Sequence, residues 1–276
     1  MRIQFPAATA ALAATWFMTI VATSATAGGP GELSPMALSA EQIVDKCVEV
    51  RGGLVAWRKI ATMTWVGHLE TERSSVPSLP FQLQEKRPDK SRFEITEPSQ
   101  RSVRVFNGIS GWKIRPGQDG RPEVKQFTAQ ETRFARGASG LEGPLIDYRA
   151  RGGKVALDGI EQVDGRKTYR IAVRTASGEG QTVWIDAGTF LETRYDRTAY
   201  DQQGPKGTVS IRYRDYKEVE GLALPSVLEI SGAAGGKADR MVIEKVALNS
   251  PIDDRQFDGL SAPRDRNAAA PVTVQR

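Results

Sequence analysis

One histidine, one cysteine and a short acidic run are the residues of this chain whose types invite chemistry. His68 lies on the polar side of an alternating stretch, Thr62 to Glu70. A Ser-His-Asp centre needs an imidazole between a nucleophile and a carboxylate, and no spacing here supplies the other two members. His68 therefore reads as a rim or surface residue. Cys47 falls on an apolar stripe with Ile43 and Val50, flanked by Val44, so a buried thiol is expected. One His and one Cys fall short of the four ligands of a structural zinc site. Asp253, Asp254 and Asp258 lack the ligand spacing of an EF-hand and belong on a solvated turn. There is no G-x-x-x-x-G-K-[ST] phosphate loop, and Arg51-Gly52-Gly53 reads as a helix cap. Acid pairs of the glycosidase kind are singled out nowhere by spacing. The expectation is no enzyme, no cofactor and no metal.

What remains is apolar. From Phe81 to Pro116 run four short alternating strands, joined by Arg87-Pro88-Asp89, Glu97-Pro98-Ser99 and Asn107-Gly108 turns. Alternation gives each strand one apolar and one charged face. Trp65 and Leu69 on the preceding strand, then Phe81, Leu83, Phe93, Ile95, Val103, Val105, Trp112 and Ile114, are assigned to one face. Such a face is either a filled core or the wall of an apolar cavity, and alternation alone leaves both open. Trp184, between Val183 and Ile185, has no clear side. Opposite the apolar set lie Arg92, Arg104, Lys113 and Arg115, with Glu94 as the chief acid. On a convex face these bases sum into a patch for an acidic partner or anionic headgroups, unless they are an ordinary solvated exterior.

The elements that must hold these residues are mostly strands. Ser39-Ala40-Glu41-Gln42 is a capping box that opens a helix ended by Arg51-Gly52-Gly53. A second short helix carries Leu54, Trp57 and Ile60. After the strands to Pro116, Phe127–Tyr148 breaks the period, with a helix near Ala129–Arg136 and a helical piece over Leu141–Tyr148. Strands resume at Lys154–Val163, Thr168–Thr175, Gln181–Asp186, Leu191–Ala199, Thr208–Glu218, Ser226–Ser231 and Met241–Ala247. About eleven hairpin-linked strands make one strongly curved antiparallel sheet or open barrel.

The ends set the compartment. Arg2, the apolar run Ala7–Val21 and Ala25-Thr26-Ala27 describe a secretory signal peptide cut after Ala27. The apolar run is broken by threonines and is shorter than the roughly 20 residues a membrane span needs. No cysteine stands at the cut, so no lipid is attached there. A periplasmic protein, not an integral membrane one, is expected: a flexible leader over 28–38, one domain over 39–260 and a disordered tail over 261–276. The formal charge of +5 includes Arg2, and acids and bases are interspersed. Nothing in that pattern calls for nucleic acid.

The order helix, Arg51-Gly52-Gly53, helix, strand, Lys86-Arg87-Pro88, then a strand bearing Phe93, resembles the LolA/LolB-like superfamily of periplasmic outer-membrane lipoprotein-sorting proteins. The hairpin Asn107-Gly108, Trp112, Pro116 fits, as do Gly221 to Pro225 and Asn249-Ser250-Pro251-Ile252 leading to Phe257. The resemblance spans residues 40 to 260. It implies a half-open barrel of about eleven strands whose short helices line or lid an apolar cavity for acyl chains. It also implies a carrier that exchanges lipid or lipoprotein acyl chains with a membrane-protein donor or acceptor. A lipid-responsive sensor or envelope assembly protein on the same fold is the alternative, and a lipid hydrolase the third. Cavity residues are then Trp65, Leu69, Phe81, Leu83, Phe93, Ile95, Trp112 and Ile114. The chain departs from the pattern by extra sequence at Gly117–Pro122, Gly137–Gly143 and Gln202–Gly207. The lid arginine of such carriers has no matching position; Arg133 and Arg136 are neighbours of that region.

Overall fold

A computed structural model describes residues 38–259 apart from 73, 99, 118–120, 138–140, 202–203 and 233–236. The expected signal peptide, nearly all of the leader, and the tail lie outside the described residues. Two helices come first, α1 (Ala40–Val50) and α2 (Leu54–Arg58). The capping box closes as its sequence requires: the Gln42 amide donates to Ser39 Oγ and the Ser39 amide to the Gln42 side chain. The buried stripe of α1 is Ala40, Ile43, Val44 and Cys47.

Six strands follow: β1 (Thr62–Glu70), β2 (Ser78–Lys86), β3 (Lys90–Glu97), β4 (Gln100–Asn107), β5 (Gly111–Pro116) and β6 (Pro122–Gln126). Helix α3 (Ala129–Gly137) interrupts. Then come β7 (Lys154–Val163), β8 (Arg166–Arg174), β9 (Gly180–Asp186), β10 (Glu192–Asp201), β11 (Gly204–Val219), β12 (Leu222–Ser231) and β13 (Asp239–Leu248). A 3₁₀ turn over Asp254–Phe257 ends the described chain.

All the strands form one 13-stranded sheet in the order β6-β5-β4-β3-β2-β1-β13-β12-β11-β10-β9-β8-β7. Each half is a meander, and the seam is the long-range pairing of β1 with β13. The sheet is antiparallel and open, with β6 and β7 at its edges. Residues of β1 and β2 border the same cavity as residues of β10 to β13, so the sheet curves round it. Bulges at Val66/Gly67, Leu157/Gly159 and Glu192/Arg194 supply bends. Gly67 is needed at the seam, because a Cβ there would sit 1.9 Å from the Val242 carbonyl oxygen.

Three expectations need correction. The sheet has 13 strands rather than about eleven, and β6, which begins where the expected extra sequence at Gly117–Pro122 ends, is a strand that the sequence pattern does not mark. Its residues Pro-Glu-Val-Lys-Gln are all exposed, so an edge strand left no alternation to read. Second, residues 141–150 form successive turns, not a helix. Pro144 has no amide to donate, Gly143 and Asp147 take positive φ, and Arg151 Nη2 donates to the carbonyls of Gly143, Pro144 and Ile146.

The third correction concerns which strands share a face. Leu83 pairs with Phe93 and Phe81 with Ile95, as expected. Val105 pairs with Trp112 and Val103 with Ile114, also as expected. Between these two pairs of strands the phase reverses. Glu97 pairs directly with Gln100, so Phe93 faces Arg104 and Arg92 faces Val105. Reading Glu97-Pro98-Ser99 as a three-residue turn adds one residue to the loop, and a shift of one residue moves every side chain to the other face. Phe93 and Ile95 thus share the inner face with Arg104, Lys113 and Arg115. Trp112 and Ile114 share the outer face with Arg92 and Glu94.

Candidate functional site: an apolar cavity with a charged end

The inner face encloses a cavity of about 1150 Å³. Its apolar wall is built across the seam, from Trp65 and Leu83 on one side and Leu228, Ile230, Met241 and Ile243 on the other. Trp65 pairs with Leu83 on β2 and with Val246 on β13, which places the two sides next to each other. A second space of about 690 Å³ adjoins it, bordered by Leu83, Phe93, Phe127, Phe134 and Leu141.

Of the residues assigned from sequence, Trp65 and Leu83 border the main cavity, and Leu83 and Phe93 the adjoining one. Leu69, Phe81 and Ile95 occupy the same face but belong to a packed cluster with Leu79, Met241 and Ile243; Phe81 is 3% exposed. They pack against residues of the cavity wall rather than line the cavity. Trp112 and Ile114 sit on the outer face with Val103, Val105, Ile252 and Phe257. A Cβ on Gly259 would lie 2.2 Å from the Trp112 indole, so the descending chain covers that ring closely.

The expected basic patch is likewise divided. Arg92 is buried and bonds Glu94 at 2.8 Å on the outer face. On the inner face Lys113 Nζ donates to both oxygens of Glu131 on α3, at 2.8 and 3.0 Å. The Arg104 guanidinium lies 5.0 Å from the Phe127 ring centre and 3.9 Å from Glu131. These cations hold α3 in place across β4 and β5. From the other arm of the sheet Arg197 Nη1 donates to the Phe134 carbonyl at 3.0 Å, and Glu179 accepts from Arg133 Nε at 2.5 Å. Helix α3 is therefore fastened over the cavity by polar contacts, and none of its residues is buried.

One end of the cavity is a buried polar hub. Arg51, at the end of α1, donates to Glu192 on β10 at 2.9 Å and to the Glu142 carbonyl at 3.2 Å. Its guanidinium lies 4.7 Å from the centre of the Trp57 ring. Arg87 joins Glu142 Oε1 at 2.9 Å and the carbonyls of Ile60 and Trp57. Burial works against the Arg51 charge, but Glu192 and neighbouring tyrosines outweigh it and keep it ionised. Burial pushes the Glu192 carboxyl up, and Arg51 pulls it back.

The sequence motifs meet at this hub. A Cβ on Gly52, whose φ is +109°, would stand 2.4 Å from the Gly221 carbonyl oxygen. The Ala223 amide donates to the Arg51 carbonyl, and Asn249 accepts from the Ala61 amide. Arg51-Gly52-Gly53, Lys86-Arg87-Pro88, Gly221–Pro225 and Asn249–Ile252 are thus one structural junction rather than a reactive centre.

Beside the hub, Glu85 faces the cavity with its carboxylate accepting from Trp65 Nε1 at 3.0 Å. Burial raises this acid to about 7, opposed by the Trp65 hydrogen bond and reinforced by Glu142. Elsewhere the chemistry is bland. His68 Nδ1 is 2.7 Å from Glu244, on the face of β1 away from the cavity. Cys47 is fully buried, and burial pushes its thiol well up. Among the described residues no cluster of His, Cys, Asp and Glu fits a metal, and no helix is long and apolar enough to cross a membrane.

Sequence reasoning missed Leu228, Ile230, Met241 and Ile243, although it recognised their strands. Their alternation was legible; the pairing of the last strand with the first, which brings them to Trp65, was not.

No family model matches the sequence, and no curated protein matches it significantly. Among solved structures it is similar to a DUF1329 family protein from Desulfovibrio piger, with TM-score 0.52 and 14% identity over 79% of this chain and 97% of that one. It is similar to a putative outer membrane lipoprotein-sorting protein domain from Vibrio parahaemolyticus, with TM-score 0.51 and 12% identity over 80% and 96%. A LolA superfamily protein from Nitrosomonas europaea gives 0.50 and 14% over 80% and 98%. At such identities the likeness speaks for the fold.

Proposed function

We propose that this chain, whose fold is LolA/LolB-like, is an exported periplasmic binding protein that carries an acyl chain of a lipid or lipoprotein in its cavity. The observation that carries the reading is the apolar wall of Trp65, Leu83, Leu228, Ile230, Met241 and Ile243 around about 1150 Å³. Each methylene moved from water into such a wall contributes about 0.8 kcal/mol, so ten of them supply about 8 kcal/mol before the costs of association. No charge contact is needed for useful affinity. The name of the Vibrio parahaemolyticus neighbour, a lipoprotein-sorting domain, agrees with that cargo.

The work is binding and release rather than turnover. Release follows an affinity gradient, so a membrane-protein donor or acceptor must offer a weaker or stronger site in turn. The polar fastening of α3 suits a cover that opens without unpacking a core, because its contacts exchange with water.

Native mass spectrometry of protein purified from the periplasm, with extraction of what it releases, tests the reading. A retained lipid or lipopeptide mass is expected. Bare protein that also fails to take up a fluorescent fatty acid would remove the proposal.

A further inference from the structure

Among the described residues, five of the charges bordering the cavity are paired with an opposite charge inside the protein, whereas Arg151 and Arg197, like the acid Glu85, are in no ion pair. Arg51 has Glu192, Arg133 has Glu179, and Glu142 has Arg87. Arg197 on β10 is bonded only to the Phe134 carbonyl, with the Phe134 ring 3.6 Å from its guanidinium, and its buried Nε has no partner. Arg151 bonds three backbone carbonyls of the 143–146 turns through Nη2. Both border the main cavity and the adjoining space. Tyr195, on the same strand as Arg197, borders the main cavity with them, and their charges favour its ionised form while burial opposes it. Gln181 stands beside them, donating to the Gly137 carbonyl that Tyr195 also reaches.

We infer that Arg197 and Arg151, with Tyr195, form a subsite for the anionic headgroup of an amphiphile whose acyl chain fills the cavity. This rests on the acyl-binding reading above and adds a class of cargo to it. Burial works against the Arg197 charge, and the groups offsetting it are Tyr195, Tyr213 and Glu179, of which Glu179 is already held by Arg133. A carboxylate or phosphate supplies what the site lacks: an opposite charge for the desolvated Arg197 guanidinium, in a cavity that Arg151 also borders. Glu85 and Glu142 also border the cavity, Glu85 accepting from Trp65 and Glu142 from Arg87, so Glu142 is already matched by a cation although it adjoins the turn that Arg151 bonds.

The test compares cis-parinaric acid with its methyl ester, bound to the full mature chain at pH 8. The wild type should bind the acid about tenfold more tightly, the factor expected of one well-made charged hydrogen bond. In Arg197→Gln and in the Arg197→Gln, Arg151→Gln double variant the ratio should fall towards one, whereas Arg197→Lys should keep part of it. Palmitate and lysophosphatidylglycerol, each set against an uncharged monoacylglycerol as competitor, distinguish carboxylate from phosphodiester cargo. Charge-dependent displacement by either supports the subsite. Equal binding of acid and ester by the wild type, or an unchanged ratio in both glutamine variants, overturns the subsite and leaves the acyl cavity standing. Failure of both probes to bind overturns the two together.

Discussion

Replacing Glu85 by glutamine should make the protein more stable at high pH and leave it unchanged at low pH. Glu85 belongs to the inner face of β2 and is taken up in the cavity wall, where its one hydrogen bond comes from Trp65 Nε1. Burial raises its proton affinity from the ordinary 4.5 to about 7. The folded state therefore binds this proton more tightly than the unfolded one. Below about 4.5 both states are protonated and the group is neutral to stability. As pH rises towards 7 the unfolded chain loses its proton first, so folding is progressively disfavoured, and above 7 the full penalty applies. At about 1.4 kcal/mol per tenfold change in proton affinity, the penalty has an upper limit of about 3 kcal/mol. The side chain borders a cavity that admits water, which lowers the expected value to about 1–2 kcal/mol. A glutamine amide in this position keeps an acceptor for Trp65 and carries no charge. Urea unfolding of both proteins at several pH values between 4 and 8.5 measures the difference directly, since all other titrations are shared and cancel. The two stabilities should agree at pH 4 and diverge by about 1–2 kcal/mol at pH 8.5, with Glu85→Gln the higher. Parallel stability curves, or a less stable variant at pH 8.5, would refute the placement of this acid in a desolvated wall.

Removing Arg51 should be severe, because Glu192 is then left buried and alone: Arg51→Met should cost about 3–5 kcal/mol near neutral pH and less at acidic pH, as protonation of Glu192, which burial favours, removes the unpaired charge. Chemical denaturation at neutral and acidic pH checks this, and a loss below about 1 kcal/mol at pH 7 would contradict it. Trp112→Asp should lower stability by about 3 kcal/mol, since a charge is buried under the chain around Gly259, yet leave acyl-probe binding intact in the folded fraction. Leu83→Asp should do the reverse to binding, so a probe titration in which Leu83→Asp binds normally would count against the inner-face assignment.

Much of this fold was legible because its signals are local. The Ser39–Gln42 capping box, the Arg51-Gly52-Gly53 stop and every strand from β7 to β13 depend on residues close in sequence. What was not legible depends on single-residue phase or on distant pairing. One residue in the Glu97–Gln100 connection decides whether Trp112 faces cargo or the covering 3₁₀ segment, and an apolar alternation is the same either way. The exposed edge strand β6 buries nothing, so hydrophobic pattern could not mark it. The polar hub was visible as motifs but not as a hub, since Arg51 and Glu192 are 141 residues apart. The apolar site was half legible for the same reason: β1 and β2 are neighbours in sequence, and β13 joins β1 only through the closing pairing.

The central claim is that an acyl chain lies against the inner face at the β1–β13 seam. Photo-crosslinking with a diazirine-bearing fatty acid, followed by peptide mapping, tests it most directly. Labelling should be saturable, displaced by unlabelled palmitate, and placed on Trp65, Leu83, Leu228, Met241 or Ile243, in β1, β2, β12 and β13. Labelling confined to Trp112 and the Ile252–Phe257 face, or labelling that palmitate does not displace, would contradict it.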